Sequence, residues 1–128
     1  LPVLQKCVNV YKAWHGILVH LPRHTRFTIG VKIDHYFTRL IALILRAGYT
    51  PRFKKQEIIT EASVELDSLK FFLQLLWEMK ALNHQTYTAV AVPLVEIGKI
   101  LGGWLKYIPD KNATPPAAKS DRESAFSF

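Results

Sequence analysis

Apolar residues return every three or four positions through most of this chain, the period of an α-helix with one buried face. Near the N-terminus Leu4, Cys7, Val8, Tyr11, Trp14, Leu18 and Leu21 keep that spacing, and Pro22 closes the run. The pattern predicts a second helix from about Thr25 to Gly48, with Phe27, Ile33, Phe37, Leu40, Ile41, Ile44 and Leu45 on its apolar face. Gly48 suits a helix C-cap, and the following GYTPRF reads as a turn. A third helix is expected from about Lys54 to Leu82, where Ile58, Ala62, Leu66, Leu69, Leu73, Leu76 and Lys80 recur at threes and fours and Phe72 widens the stripe. Asn83 is the expected N-cap of a fourth, whose apolar face is Tyr87, Val90, Ala91, Leu94, Ile97, Leu101, Trp104 and Leu105.

Strand-like alternation occurs once, in TAVAVPLV. It is continuous with helical spacing on both sides, so it is read as helix. Pro93 is then expected to kink that helix, since it lacks a backbone donor and crowds the carbonyl four residues back. The connections are short, and short connections make sequential helices antiparallel neighbours. The expected fold is all-α: an antiparallel up-down-up-down four-helix bundle over residues 1–108, then a flexible tail over 109–128, rich in Pro and small polar residues. There is no internal repeat.

A length of 128 residues allows one domain with one core. The apolar run LIALIL is bracketed by Arg39 and Arg46 and is too short to span a bilayer, and no secretory pattern opens the chain, so no membrane partner is expected. Cys7 is the only cysteine, which rules out a disulfide framework and fits a reducing, cytoplasmic setting. It falls on the core side of the first helix, where a structural thiol is expected.

Helical bundles often carry metal sites built from Glu-x-x-His pairs, but no Glu here has a His three residues on. His20 and His24 are four apart, with Pro22 between them to break the helix that would align them. No Gly-rich loop follows a strand. The expectation is no metal, no cofactor and no catalytic residue, hence no enzyme.

Charge sharpens the picture. Residues 1–55 hold ten Lys or Arg and one acid, Asp34, a net +9; residues 56–128 hold seven bases and nine acids, a net −2. Lys32, Arg39 and Arg46 are seven apart, so they line up along the second helix with little drift. Lys99 and Lys106 repeat the spacing on the fourth. Arg23 and Arg26 extend the basic surface before the second helix, and Arg52, Lys54 and Lys55 extend it after. Such a column can track phosphates without reading bases. The other reading of the same residues is the solvated face of amphipathic helices. Trp77, Tyr36 and Phe71 fall beside the apolar stripes, where they suggest contacts between copies of the chain.

Two stretches carry a resemblance. LPRHTRFTIG, Leu21 to Gly30, is similar to a Phe-Pro-Arg-x-x-Arg-x-x-Leu-Gly signature. EIGKILGGWLK, Glu96 to Lys106, resembles a closing Glu-Ile-Gly-Arg-Met-Leu-Gly-Gly-Trp. Both belong to a family of small bacterial four-helix bundles that contains the ribosomal-RNA intervening-sequence proteins and Avd, the accessory variability determinant of diversity-generating retroelements. Arg23, Arg26 and Gly30 match the first signature; Glu96, Gly98, Lys99, Gly102, Gly103 and Trp104 match the second. Leu21 replaces the usual Phe, Gln74 stands where a basic residue is common, and Pro93 is a further departure.

The Avd resemblance implies a homopentamer with a basic surface. It also implies binding to RNA or DNA and a partnership with the retroelement's reverse transcriptase during mutagenic copying of template RNA. The intervening-sequence branch implies instead a structural or protein-interaction bundle with no nucleic-acid role. Within the closing signature, Gly98 and Gly102 are four apart on one helix face. They are expected to leave a groove for a bulky side chain from the first helix. Gly103 would let Trp104 close the bundle beside Trp14 or Phe37.

Overall fold

A computed structural model describes residues 2–107; the predicted tail over 109–128 lies outside the described residues. The chain folds as α1 (Pro2–Leu18), a short α2 (Arg23–Thr25), a π-helical turn (Arg26–Gly30), α3 (Val31–Gly48), α4 (Arg52–Glu78) and α5 (His84–Tyr107). The segments from Arg23 to Gly48 are continuous, so the described chain has four helical rods and no strand.

Cross-helix contacts fix the direction of each rod. Lys6 on α1 meets Glu96 on α5. Tyr11 and Trp14 of α1 meet Phe37 of α3. Lys32 and Arg39 of α3 meet Phe72 and Glu65 of α4, and Trp77 of α4 stacks on Tyr87 of α5. In each pair with two contacts on both sides one index rises as the other falls, so neighbours are antiparallel. The order around the bundle is α1, α3, α4, α5 and back to α1.

The core repeats at heptad-like spacing on every rod: Val3, Cys7, Val10 and Trp14; Ile33, Phe37, Leu40, Ile44 and Ala47; Ala62, Leu66, Leu69, Leu73 and Leu76; Val90, Leu94, Ile97 and Leu101. The face of α1 is rotated from expectation. Val3 and Val10 are buried, while Leu4, Val8, Tyr11 and Leu18 are half-buried. On the second rod Phe27 and Leu45 are 64% and 50% exposed and do not belong to the core. Six residues separate Phe27 from Ile33, which is neither three, four nor seven, and the widened π turn lies between them.

The α4–α5 turn is capped at both ends. Ala81 N–H reaches Leu76 C=O and Lys80 N–H reaches Trp77 C=O, the paired bonds of a Schellman motif. Its left-handed position is Lys80, at φ 63°, so α4 ends at Glu78 and Lys80 is not part of the helical stripe. Asn83 caps α5 as expected: its Oδ1 accepts the Thr86 N–H at 2.8 Å. Helix α5 then runs unbroken through Pro93. It is also long and apolar enough to cross a membrane by length and composition, at a mean hydropathy of 1.4, which the short LIALIL run did not show. Here it is the fourth wall of the bundle, with Val90, Leu94, Ile97 and Leu101 in the core.

The glycines of α5 differ from expectation. A Cβ at Gly98 would meet Leu66 Cδ2 at 3.3 Å, so the close neighbour is α4, not α1. A Cβ at Gly102 would meet nothing within 4 Å. Trp104 does not reach Trp14. Lys6 pairs with Glu96, so in the antiparallel register Trp14 lies level with residue 88 of α5. Sixteen residues further on, roughly 24 Å along the helix, Trp104 packs at the opposite end of the core.

Candidate functional site

The basic stripe is real as geometry. Lys32, Arg39 and Arg46 are all exposed and lie on the side of α3 that faces α4, because Lys32 and Arg39 both touch α4 residues. At the foot of the stripe the first turn of α4 carries Arg52 and Lys54, both exposed, and the half-buried Lys55. Arg23 and Arg26 sit at the other end of the molecule, in α2 and at the start of the π turn. Lys99 and Lys106 are exposed on α5. Lys99 lines a shallow groove of about 270 Å³ with Leu66, Asp67, Lys70, Gly98 and Gly102, so it belongs to the α4–α5 side. The ten predicted cations therefore form a stripe, two ends and a separate α5 edge, not one patch.

Two features of the stripe were not visible in the sequence of α3. Arg39 Nε donates to Glu65 Oε1 at 3.0 Å across the groove. Glu57, Glu61 and Glu65 are four apart, so they follow one face of α4, and the acids missing from α3 stand on its neighbour. The second is aromatic. Lys32 Nζ sits 5.7 Å from the centroid of the Phe72 ring, on which Tyr36 stacks at 5.6 Å. Phe71 meets Phe72 edge-on at 5.3 Å and is 59% exposed. Tyr36, Phe71 and Trp77, expected between copies, each have a ring partner within the chain, and Phe71 and Trp77 remain exposed.

The lone acid of the basic half has a structural task. Asp34 Oδ1 accepts the indole N–H of the fully buried Trp14 at 3.2 Å. The same carboxylate takes the Tyr11 hydroxyl, and burial first, then this hydrogen bond and its negative charge, push that hydroxyl above its ordinary range. Asp34 thus ties α1 to α3, and no acid stands among the exposed residues of α3. On the other flank Lys6 Nζ donates to Glu96 Oε2 at 2.6 Å. That bond and the Lys6 charge, with Lys99 adding less, hold the Glu96 carboxyl below the usual range. Both partners are well solvated, so the pair fixes register more than stability.

Nothing else gathers into a reactive centre among the described residues. No polar or charged residue there is fully buried, and no group of three or more His, Cys, Asp or Glu could hold a metal ion. Burial alone pushes the Cys7 thiol up to about 12, which keeps it protonated and unreactive. Among the described residues the one buried side-chain N or O without a hydrogen-bond partner is Arg26 Nε, at the start of the π turn. Gly30 ends that turn under the α1–α2 loop, where a Cβ would come within 2.9 Å of Leu18 Cδ1.

The described residues thus form an antiparallel four-helix bundle with a stripe of exposed cations along α3. The sequence model of the bAvd-like family matches residues 2–108, the whole of the described bundle, and the chain belongs to that family. No curated protein and no solved structure matches the chain.

Proposed function

We propose that this protein is the non-catalytic, nucleic-acid-binding accessory subunit of a diversity-generating retroelement. It acts in the cytoplasm as a homo-oligomer, pentameric in the likeness of Avd, and holds template RNA or its DNA copy for the reverse transcriptase. The observation that carries the reading is the Lys32–Arg39–Arg46 stripe. It is exposed, borne on one helix, and continued by Arg52, Lys54 and Lys55 at the start of α4. Cations at fixed spacing on a helix meet phosphates without selecting sequence, which suits a subunit that must accept a variable template. Membership of the bAvd-like family supports the accessory role.

The test is reconstitution. Purified reverse transcriptase and its template RNA are incubated with and without this protein, and full-length cDNA is measured. The reading expects cDNA to depend on the protein and to fall when Lys32, Arg39 and Arg46 are all replaced by Gln. Equal cDNA yield with and without the protein would contradict it and favour the structural reading of the intervening-sequence branch.

A further inference from the structure

The chain from residue 1 to residue 33 contains no acid. Its C-terminal part folds into the end of the bundle built by the α1–α2 loop, α2 and the π turn, where Arg23, His24 and Arg26 gather. Within this acid-free segment Phe27 is 64% exposed. A phenyl ring that far into water lies outside the core to which Ile33 and Phe37 belong. The Arg26 guanidinium carbon sits 5.5 Å from the centroid of that ring, a cation–π arrangement. Its Nε is buried and has no hydrogen-bond acceptor among the described residues. Arg23 precedes Phe27 by one helical turn. Within the π turn the Thr28 hydroxyl donates to the His24 carbonyl at 2.8 Å. Glu78, the acid at this end of α4, is engaged by the Gln74 amide at 3.0 Å.

An exposed ring flanked by cations, with no acid in its own segment, has the chemistry of an unpaired nucleotide and not of a duplex. Bases in a duplex hide their faces in the stack; an unpaired base offers one to any aromatic side chain. We propose that Phe27 is a stacking platform for an unpaired base, with Arg23 and Arg26 taking the flanking phosphates. The proposal rests on the nucleic-acid reading above and adds to it the strand state of the ligand and a second contact region, at the opposite end of the second rod from Arg46. The platform uses the base face and the phosphate and makes no demand on the sugar. RNA and DNA strands of one sequence therefore bind alike.

The test uses the full chain and labelled 20-nucleotide pyrimidine-rich strands of RNA and DNA, with the matching duplex, in fluorescence anisotropy at low salt. The wild type should prefer either strand to the duplex, and the two strands should agree within a few-fold. Phe27→Ala should lower strand affinity about tenfold, a fold-change typical of one lost base stack. It should leave duplex affinity within about twofold, and Phe27→Trp should restore strand binding. Equal binding of strand and duplex with no effect of Phe27→Ala would overturn the proposal and leave the accessory reading standing. So would a Phe27→Ala protein whose sedimentation shows a changed oligomer, since Phe27 would then be a contact between copies. Absence of binding to any of the three ligands would remove the accessory reading as well.

Discussion

Asp34 shows most clearly how one side chain serves the fold and the surface together. Replacing it with Ala leaves the buried Trp14 N–H without an acceptor and should cost about 1–3 kcal/mol of stability in a urea titration. Asp34→Asn keeps a carbonyl oxygen in place and should cost clearly less; equal loss in both variants would mean that the indole bond is not the cause. The glycines of α5 separate in the same kind of experiment. Gly102→Ala meets nothing and should raise stability by about 1 kcal/mol through helix propensity. Gly98→Leu must displace Leu66 from the core and should lower it by about 1–3 kcal/mol. A destabilised Gly102→Ala protein would show that this open side of α5 is covered in solution. These contacts were not legible in the sequence, because spacing says which residues share a face and not which helix that face meets. The wrong neighbour for Gly98 and the wrong end for Trp104 both follow from that.

At the level of elements, the four helices and their short turns were legible because apolar spacing, Pro22, Gly48 and the Asn83 cap all agree. Their ends and phases were less so. The stripe from Ile58 to Leu76 continues in register to Lys80, yet the chain leaves the helix at Glu78. Lys80 takes the left-handed position of the Schellman turn, which most sequences give to Gly. Lys80→Gly should therefore stabilise the protein by about 1 kcal/mol in thermal or urea unfolding, by removing a steric cost that Cβ imposes there. A neutral or harmful effect would show that the turn compensates Lys80 in another way. The π turn was the feature least visible beforehand. Its signal was the gap of six between Phe27 and Ile33, which fits no helical face. That misfit is where the second rod departs from packing and exposes an aromatic side chain beside two arginines.

For the whole molecule, the question is whether the basic half of the sequence becomes a basic surface. The composition showed the excess of charge but not its partners, because Glu65 is 26 residues from Arg39 in sequence and paired with it in space. Arg39 is paired with Glu65, whereas Lys32 and Arg46 are exposed and make no ion pair among the described residues. The three members of the stripe should therefore differ in their weight on phosphates. The most direct measurement is the affinity of the protein for a polynucleotide as a function of salt, made on the wild type and on Lys32→Gln/Arg46→Gln. The wild-type affinity should fall at least about tenfold between roughly 50 and 200 mM salt, as counterions released from several phosphates return. The double variant should bind less tightly, with a log–log slope shallower by about one to two, while Arg39→Gln alone should change the slope less than either of the others. An affinity that does not change with salt, or a slope that survives the double substitution intact, would contradict the claim that this stripe holds phosphates.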